Sequence, residues 1–486
     1  MTTTTKRSWR KWTRVSPRFL PFADVATHEL PLWRLFQLSL FQVSVGMCTA
    51  LLIGTLNRVM IVELGVGAWL VAIMVALPLV FAPFRALLGF KSDTHRSVLG
   101  WRRVPYIWLG TLFQFSGLSI MPFALIVLSG DSSWPAWIAV LATGLAFLLV
   151  GMGLQTTQTA GLALATDIAP TEARPRVVAM MYAMFLVGMV ASGLIFAVLL
   201  SDFTQVTLIK VIQGAAGVSA VLNVVALWKQ EARDPSRTSA AIARPSFQQT
   251  WKTFSGQPHT LRYLLALGLG TSAFSMQDII LEPYGGEVLG LSVSATTVLT
   301  AMMASGSLVA FAMAARWLSR GMNPYRLSAL GAIAGLVAFS CVIFSEPFQE
   351  PHLFRLGTVL IGFGAGLFSV GTLTAAMNLE ANDGLAHFGA RGLVIGAWGA
   401  VVATATGVSM ALGGALRDLV SSLAVKGEIG SALIHPATGY SFVYHLELYL
   451  LLVTLIAIGP LVRASSRSVS SGDASVSKFG LAEFPS

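Results

Sequence analysis

The stretch FRALLGFKSDTHRSVLGWRRVPYIWLG, residues 84–110, decides the fold of this chain. It is a short basic segment between two apolar runs, and each run is long enough to cross a membrane. A glycine, an aspartate, a second glycine and an arginine pair follow one another within it. Arginines at helix ends are anchored by lipid phosphates, and a carboxylate can pair with them to hold adjacent helices together. We therefore predict a cytoplasmic clamp that consists of Arg85, Asp93, Arg102 and Arg103.

The composition excludes an ordinary soluble protein. Of the 486 residues, 55% are hydrophobic and only 11% are charged, whereas soluble domains carry roughly 25% charged residues. Hydropathy predicts twelve membrane spans, each with the ~20 apolar residues that a ~30 Å hydrocarbon core requires. The predicted spans cover residues 34–62, 68–90, 104–128, 136–167, 176–201, 205–228, 261–284, 293–318, 325–346, 352–380, 386–416 and 441–462.

The basic residues predict the orientation of these spans. With the N-terminus in the cytoplasm, only five of the 32 Lys and Arg residues lie on the outer side, namely Arg58, Lys210, Arg355, Arg417 and Lys426. The positive-inside rule requires this asymmetry, and the opposite topology would invert it. Both termini are therefore expected in the cytoplasm, and the net charge of +10 is assigned to anionic lipid rather than to nucleic acid.

Five parts follow from this topology. A basic interfacial segment at 1–33 precedes an N-terminal six-helix half at 34–228, and a cytoplasmic linker at 229–260 precedes a C-terminal six-helix half at 261–462. The last part, 463–486, is a Ser-rich cytoplasmic tail that we expect to lack regular structure.

The two halves repeat each other in sequence. RVPYIWLG at 103–110 opens the third span, and MNPYRLSALG at 322–331 opens the ninth. Asn57 and Glu282 each stand eight residues before a glycine at the outer ends of the first and seventh spans. Paired six-helix halves are typical of the major facilitator fold, and the loop at 84–110 resembles the loop that joins the second and third helices of such transporters. We predict this all-α integral membrane fold. Gly362-x-x-x-Gly366 and Gly392-x-x-x-Gly396 are interpreted as helix-packing sites.

Ionisable groups inside a membrane are costly, so each one is a candidate for function. The ionisable groups deepest in the membrane lie in MQDIILEPYGGEV at 276–288. We expect Pro283 and the glycines after it to break the seventh span there, which would leave backbone carbonyls without helical donors. The polar residues of this segment and those of the first span together form a candidate polar rim. Its members are Asn57, Arg58, Glu63, Gln277, Asp278, Glu282 and Glu287. The alternative is a structural ion pair of Arg58 with Asp278 or Glu282.

The fourth span carries a second polar stripe. Gln155 and Gln158 share a helix face near mid-membrane, where they either line a cavity or bond to neighbouring helices. The seven histidines lie in loops or near span ends, His445 toward the outer leaflet, and we expect them to be solvated. We predict neither a catalytic residue nor a bound metal ion, because phosphate-cradling, zinc-binding and diphosphate-binding motifs are absent from the sequence.

Several blocks of this sequence resemble the PucC/LhaA family, the bacteriochlorophyll-delivery members of the major facilitator superfamily in purple phototrophic bacteria. The match runs from about Phe19 to Val462. The blocks that carry it are residues 54–66, 84–108, 121–125, 277–297 and 387–400.

The resemblance implies a non-enzymatic factor that assembles light-harvesting antenna complexes by handing bacteriochlorophyll to the antenna α and β polypeptides. Bacteriochlorophyll would be a transient ligand, and no covalent cofactor is expected. The polar rim would surround the site of the pigment or of an antenna polypeptide, and its oxygen ligands could meet the pigment magnesium. The protein would lie in the inner membrane of a phototrophic bacterium. A large apolar pigment suits a bundle with few midplane charges. A proton-coupled transporter of small molecules is the alternative, and a subunit of bacteriochlorophyll synthesis is a more distant one.

Overall fold

In a computed structural model, the described residues are 31–80, 101, 103–129, 134–169, 174–231, 260–382, 391–430, 433–435 and 437–471. Their regular structure is entirely helical, and it follows the predicted order of spans. The spans are Leu32–Thr49 continued by Ala50–Leu56 and Val59–Glu63, Ala68–Val80, Val104–Leu128, Ala136–Ile168, Arg174–Leu199, Gln205–Leu227, Thr260–Ser275 continued by Gln277–Glu287, Val293–Ser319, Pro324–Ser345, Pro351–Asn382, Arg391–Val425 and Ala437–Ser471.

Eleven of the described helices are long and apolar enough to cross a membrane. The second span is described as far as Val80 and is shorter over that range. The predicted all-helical membrane fold is therefore confirmed. The third span begins and ends at the predicted residues, Val104 and Leu128. Of the five predicted parts, the segment 1–30 and most of the linker, 232–259, lie outside the described residues.

Two helices extend beyond their predicted spans. The eleventh span continues to Val425 instead of ending at residue 416, because Arg417 and Asp418 find partners that allow charged residues within the helix. The apolar part of the twelfth span ends at Arg463, one residue from the predicted end at 462, but its helix continues to Ser471. The first part of the Ser-rich tail is therefore helical and does not lack regular structure. Extending an existing helix costs much less than nucleating one, which lets even a serine-rich sequence propagate it.

The internal repeat is visible in backbone geometry. Gly65 and Gly290 end the first and seventh spans, and both have φ of +63°. Glycine adopts this left-handed conformation without a steric penalty. In both loops the residue after the glycine donates its N–H to the carbonyl six positions back, at 2.9 Å. Two loops more than 200 residues apart in the sequence thus share one conformation, as the pseudo-symmetric halves predict.

Two pairs of spans make the broadest contacts between the halves, in addition to the contact of the first span with the seventh and eighth. The second span packs against the eleventh, where Gly414 lies close to the Ala68 carbonyl. The fifth span packs against the eighth, where Gly193 contacts Ala301. Within the C-terminal half the tenth span packs against the eighth and ninth, and Gly362 and Gly366 lie at the contact with the eighth. The prediction for this glycine pair is confirmed, whereas the side-chain positions of 391–397 lie outside the description.

The orientation of the bundle gives a direct prediction. Because 27 of the chain's 32 Lys and Arg residues fall on one face, reporter fusions after Ser236 and after Ser468 should both report the cytoplasm. A fusion after Ser132 should report the periplasm. Paired alkaline phosphatase and fluorescent-protein fusions measure this, and a periplasmic signal from Ser236 would contradict the twelve-span topology.

Candidate functional site

The first span changes its helical form where it faces the seventh and eighth spans. Ala50–Leu56 and Val59–Glu63 are π-helical, a rare form that often marks functional sites. Gly54 lies in the first of these segments, and a Cβ atom added there would overlap the Glu282 carboxyl and the Thr300 hydroxyl. The absence of a side chain thus lets the two halves approach closely at this point. We call the surrounding polar residues Asn57, Arg58, Glu63, Gln277, Asp278 and Glu282 the junction.

Asn57 connects the first span to the backbone of the seventh. Pro283 has no N–H, so it cannot donate to the carbonyl of Ile279 four residues earlier. The Asn57 Nδ2 donates to this carbonyl at 2.7 Å and to the Asp278 carbonyl at 3.3 Å. The amide is fully buried. A side chain of the N-terminal half therefore replaces the backbone donor that Pro283 lacks in the C-terminal half.

The predicted break of the seventh span at Pro283 is therefore wrong. The helix continues through Pro283 and Gly285 as far as Glu287, and Met276, between its two segments, also has helical backbone angles. Asn57 satisfies the carbonyl that the proline frees, so helical geometry persists beyond it.

Arg58 is 4% exposed and makes its ion pair with Glu63 on its own span. Its Nη2 also donates to the Leu291 carbonyl at 3.4 Å, across the two halves. Gly286 of the seventh span lies against the guanidinium, where an added Cβ would be 3.1 Å from Nε. The alternative pairing of Arg58 with Asp278 or Glu282 is not found, because Glu63 lies closer to it.

Three carboxyl groups of the C-terminal half lie in or beside the junction. Glu282 is buried and accepts a hydrogen bond from the Thr300 hydroxyl, and Asp278 accepts one from the Gln277 amide. Glu447 of the twelfth span is fully buried beside Asp278 and the Gln277 backbone. Neither of its oxygens has a hydrogen bond of standard geometry. An unpaired carboxylate is costly in an apolar interior, so this group is a candidate for proton chemistry.

Glu287 belongs to a separate network at the same end of the bundle. Its carboxylate pairs with Arg417 of the eleventh span and accepts a hydrogen bond from the Tyr440 hydroxyl at 2.8 Å. Arg417 donates to the same hydroxyl at 2.8 Å, and its guanidinium lies 4.5 Å from the centre of the Tyr440 ring. This network connects the seventh, eleventh and twelfth spans, so it stabilises the C-terminal half rather than lining a cavity.

Six hydrogen bonds between described residues join the two halves at the predicted outer end. They involve side chains or backbone of the first, second and eighth spans. The bonded pairs are Asn57 with Asp278 and with Ile279, Arg58 with Leu291, Thr55 with Thr297, Trp69 with Asp418, and Ser294 with Ala197. The outer ends of the halves are therefore held together in this structure.

Of the predicted cytoplasmic clamp, only Arg103 lies among the described residues; Arg85, Asp93 and Arg102 lie outside them. The Arg103 Nε donates to the Asp167 carboxylate of the fourth span at 3.0 Å. The Glu231 carboxylate accepts the backbone N–H groups of Arg103 at 3.1 Å and Val104 at 2.9 Å. A carboxylate is favourable at a helix N-terminus because the first N–H groups lack helical partners. Arg103 thus connects the third and fourth spans with the start of the linker.

The polar stripe of the fourth span faces away from the third. Gly153 and Thr157 pack on Gly110 and Gln114 of the third span, whereas Gln155 and Gln158 lie on the other side of the helix and are partly exposed. The Gln155 Oε1 is buried without a partner, and Gln158 has a partner. The proposed role of Gln155 and Gln158 in a cavity stays a prediction.

Sequence reasoning missed several of these residues. Glu447 lies inside a predicted span, and its charge alone could have marked it as a candidate. Asp167 and Glu231 lie at span ends, where their partners come from distant parts of the chain. Among the described residues, no group of three or more His, Cys, Asp or Glu side chains could hold a metal ion. A cavity next to Glu63 has a volume of about 120 Å³, well below the ~300–1,000 Å³ of typical ligand pockets.

Comparison with known proteins assigns the family. The family described as PUCC protein matches residues 55–466, which include most of the N-terminal half, the whole C-terminal half and the junction. The chain belongs to the PUCC protein family. Protein PucC of Rhodovulum sulfidophilum is 56% identical over 412 residues, with 84% of this chain and 89% of the relative covered. An uncharacterized protein in the puhA-bchM intergenic region of Rhodobacter capsulatus is 51% identical over 469 residues, which cover 96% of this chain and 97% of the relative.

Solved structures support the fold of this PUCC family member. A bacterial homologue of the human lysosomal transporter Spinster superposes with a TM-score of 0.64 at 14% identity, over 89% of this chain and 96% of that one. At this identity the likeness concerns the fold alone. The chain is an integral membrane protein with the architecture of major facilitator transporters, and its PucC relatives come from phototrophic bacteria.

Proposed function

We propose that this protein delivers bacteriochlorophyll to the antenna α and β polypeptides while light-harvesting complexes assemble. The observation that carries the proposal is the PUCC family match across residues 55–466, together with PucC relatives at 50% and 56% identity. Bacteriochlorophyll is a large apolar macrocycle with a long hydrocarbon tail, so it partitions into lipid and has to be handed on within the membrane. The inner membrane of a phototrophic bacterium is the place where we expect this transfer.

The polar groups of the junction support a scaffold role. Asn57, Arg58 and Glu282 are all buried and bonded to neighbouring helices. A polar solute would require such groups to be available to it, whereas an apolar pigment requires few of them. We propose binding and release without a catalytic step, and the role of the junction in holding pigment or polypeptide stays a prediction.

A complementation experiment tests this function. A strain that lacks the gene should form little antenna, and the wild-type gene on a plasmid should restore the antenna absorption bands. The same strain should still make free bacteriochlorophyll, because the proposed role follows pigment synthesis. Normal antenna in the deletion strain, or loss of the pigment itself, would contradict the proposal.

One observation favours proton-coupled transport as a second candidate. Glu447 is buried without a hydrogen bond of standard geometry, and it lies beside the half-buried Asp278. Two neighbouring carboxyl groups could pass a proton between them. The variants Asp278→Asn and Glu447→Gln keep the shape and remove the charge.

The two candidates predict opposite results for these variants. A pigment-delivery scaffold should retain at least half of the antenna absorption per cell with either variant. A proton-coupled transporter should lose tenfold or more, at unchanged protein level by immunoblot. A tenfold loss of antenna absorption would favour proton-coupled transport over pigment delivery by a scaffold.

A further inference from the structure

His445 has an environment that its place near a span end does not suggest. It lies eight residues after Ala437 in the apolar segment Ala437–Arg463 of the twelfth span. At 1.5 Å per residue this is about 12 Å along the helix. Its side chain is exposed, on the face opposite the buried Glu447 and Leu451. The imidazole therefore points out of the bundle, toward lipid.

The neighbours on this face are large and apolar. Phe442, Tyr449, Leu452 and Ile456 follow the helical period and are 46–74% exposed. A stripe of this kind normally contacts lipid tails. An imidazole in the middle of it is costly unless its polar atoms find partners.

The hydrogen bonds of the ring fix its tautomer. Nδ1 lies 2.7 Å from the Ser441 carbonyl oxygen and 3.3 Å from the Ser441 hydroxyl. A carbonyl oxygen only accepts, so Nδ1 carries the proton, and the neutral ring has its lone pair on Nε2. No described residue hydrogen-bonds to Nε2. A backbone carbonyl that accepts from one ring nitrogen is the usual way in which proteins orient a histidine to bind a metal through the other.

The surroundings restrict the kind of metal. A bare ion needs several protein ligands, and the described residues hold no cluster of three or more. A metal that already has four macrocycle nitrogens needs one axial ligand only. The apolar stripe then offers a contact surface for the macrocycle and its tail.

We propose that His445 Nε2 is the axial ligand of the magnesium of bacteriochlorophyll, bound on the lipid-facing side of the twelfth span. This inference rests on the proposed function and gives the cargo a specific place. With this ligand, magnesium needs no oxygen atom from the polar rim. Asn57 and Glu282 of the rim are instead engaged in hydrogen bonds to neighbouring helices. Cargo on the lipid face can pass sideways to an antenna helix without crossing the bundle.

The test uses the purified full-length protein in lipid nanodiscs, titrated with bacteriochlorophyll a and followed by absorption and fluorescence. The ligand-removing variant is His445→Leu. The matched control is His352→Leu, which alters an exposed histidine at the start of the tenth span. Bacteriopheophytin a, which has the same macrocycle without magnesium, is the control probe.

We expect His445→Leu to weaken bacteriochlorophyll binding at least tenfold and His352→Leu to leave it within twofold. Bacteriopheophytin should bind wild type as weakly as bacteriochlorophyll binds His445→Leu. Imidazole added to His445→Gly should restore the spectrum of axially ligated bacteriochlorophyll. Equal thermal unfolding of the variants excludes misfolding as the cause.

The outcomes separate the site from the function. Unchanged bacteriochlorophyll binding by His445→Leu, or equal affinity of wild type for both pigments, would overturn the site while delivery still stands. The absence of pigment binding by wild type would overturn both. If antenna assembly in cells is lost with His445→Leu but pigment binding is not, the residue contacts a polypeptide and the ligand assignment is wrong.

Discussion

Gly362→Val should largely abolish accumulation of the folded protein. Gly362 packs on the Met303 backbone, and an added Cβ would overlap the Met303 carbonyl oxygen and lie 2.7 Å from its carbon. Both atoms belong to backbone, so the eighth and tenth spans would have to separate. Overpacking of this kind costs about 1–3 kcal/mol or more, and small residues at such contacts are what lets membrane helices pack closely.

The same substitution at Gly217 is the matched control. Gly217 lies in the sixth span, is exposed, and has no atom within 4 Å of an added Cβ. Gly217→Val should accumulate at nearly the wild-type level. Fluorescence-detected size-exclusion chromatography of tagged variants in mild detergent measures both. A monodisperse Gly362→Val peak of wild-type height would show that the two spans do not pack as described.

Asn57→Leu should destabilise the protein by about 1–2 kcal/mol, because it leaves the Ile279 carbonyl buried without a donor. Leucine has the same number of side-chain heavy atoms and the same branching as asparagine, so it is the apolar residue that matches its shape best. Pro283→Ala restores the backbone N–H that this carbonyl lacks. In the Pro283→Ala background, Asn57→Leu should therefore cost about 1 kcal/mol less than in wild type.

Equilibrium unfolding of the four proteins in mixed detergent micelles gives this double-mutant cycle. Gln155→Leu, a change of amide to leucine at a partly exposed position, serves as a control that should not couple to Pro283→Ala. An equal cost of Asn57→Leu in both backgrounds would mean that Asn57 does not replace the missing backbone donor.

The fold was predictable because the bilayer imposes its own length on each span. The third span shows this, since its ends at Val104 and Leu128 follow from hydropathy alone. The repeat was also readable, because Gly65 and Gly290 mark loops of one conformation. Local sequence was enough in both places.

The junction was predictable in membership but not in its connections. Pro283 indicates a helix break when it is considered alone, and the helix continues only because Asn57, 222 residues away from Ile279, supplies a donor. The close approach of Gly54, in the π-helical segment Ala50–Leu56, to Glu282 and Thr300 likewise joins residues far apart in the sequence. Such long-range partners are not present in any window of the sequence.

His445 shows a different kind of omission. Its hydrogen bond to the Ser441 carbonyl is local, and the apolar stripe around it has a helical period. The expectation of a solvated histidine came from its nearness to a predicted span end. The structure starts the helix at Ala437 and places the residue within the apolar segment. The helix thus begins four residues before the predicted start of the span at 441, and the sequence signal for the apolar stripe was present.

The most direct test of the account is transfer of bacteriochlorophyll to antenna polypeptides in a reconstituted membrane. Pigment-loaded protein in vesicles is mixed with vesicles that hold pigment-free α and β polypeptides, and formation of the antenna absorption band is followed in time. The account predicts that loaded wild-type protein forms antenna at least tenfold faster than the same amount of free bacteriochlorophyll. Equal rates with and without the protein would contradict it.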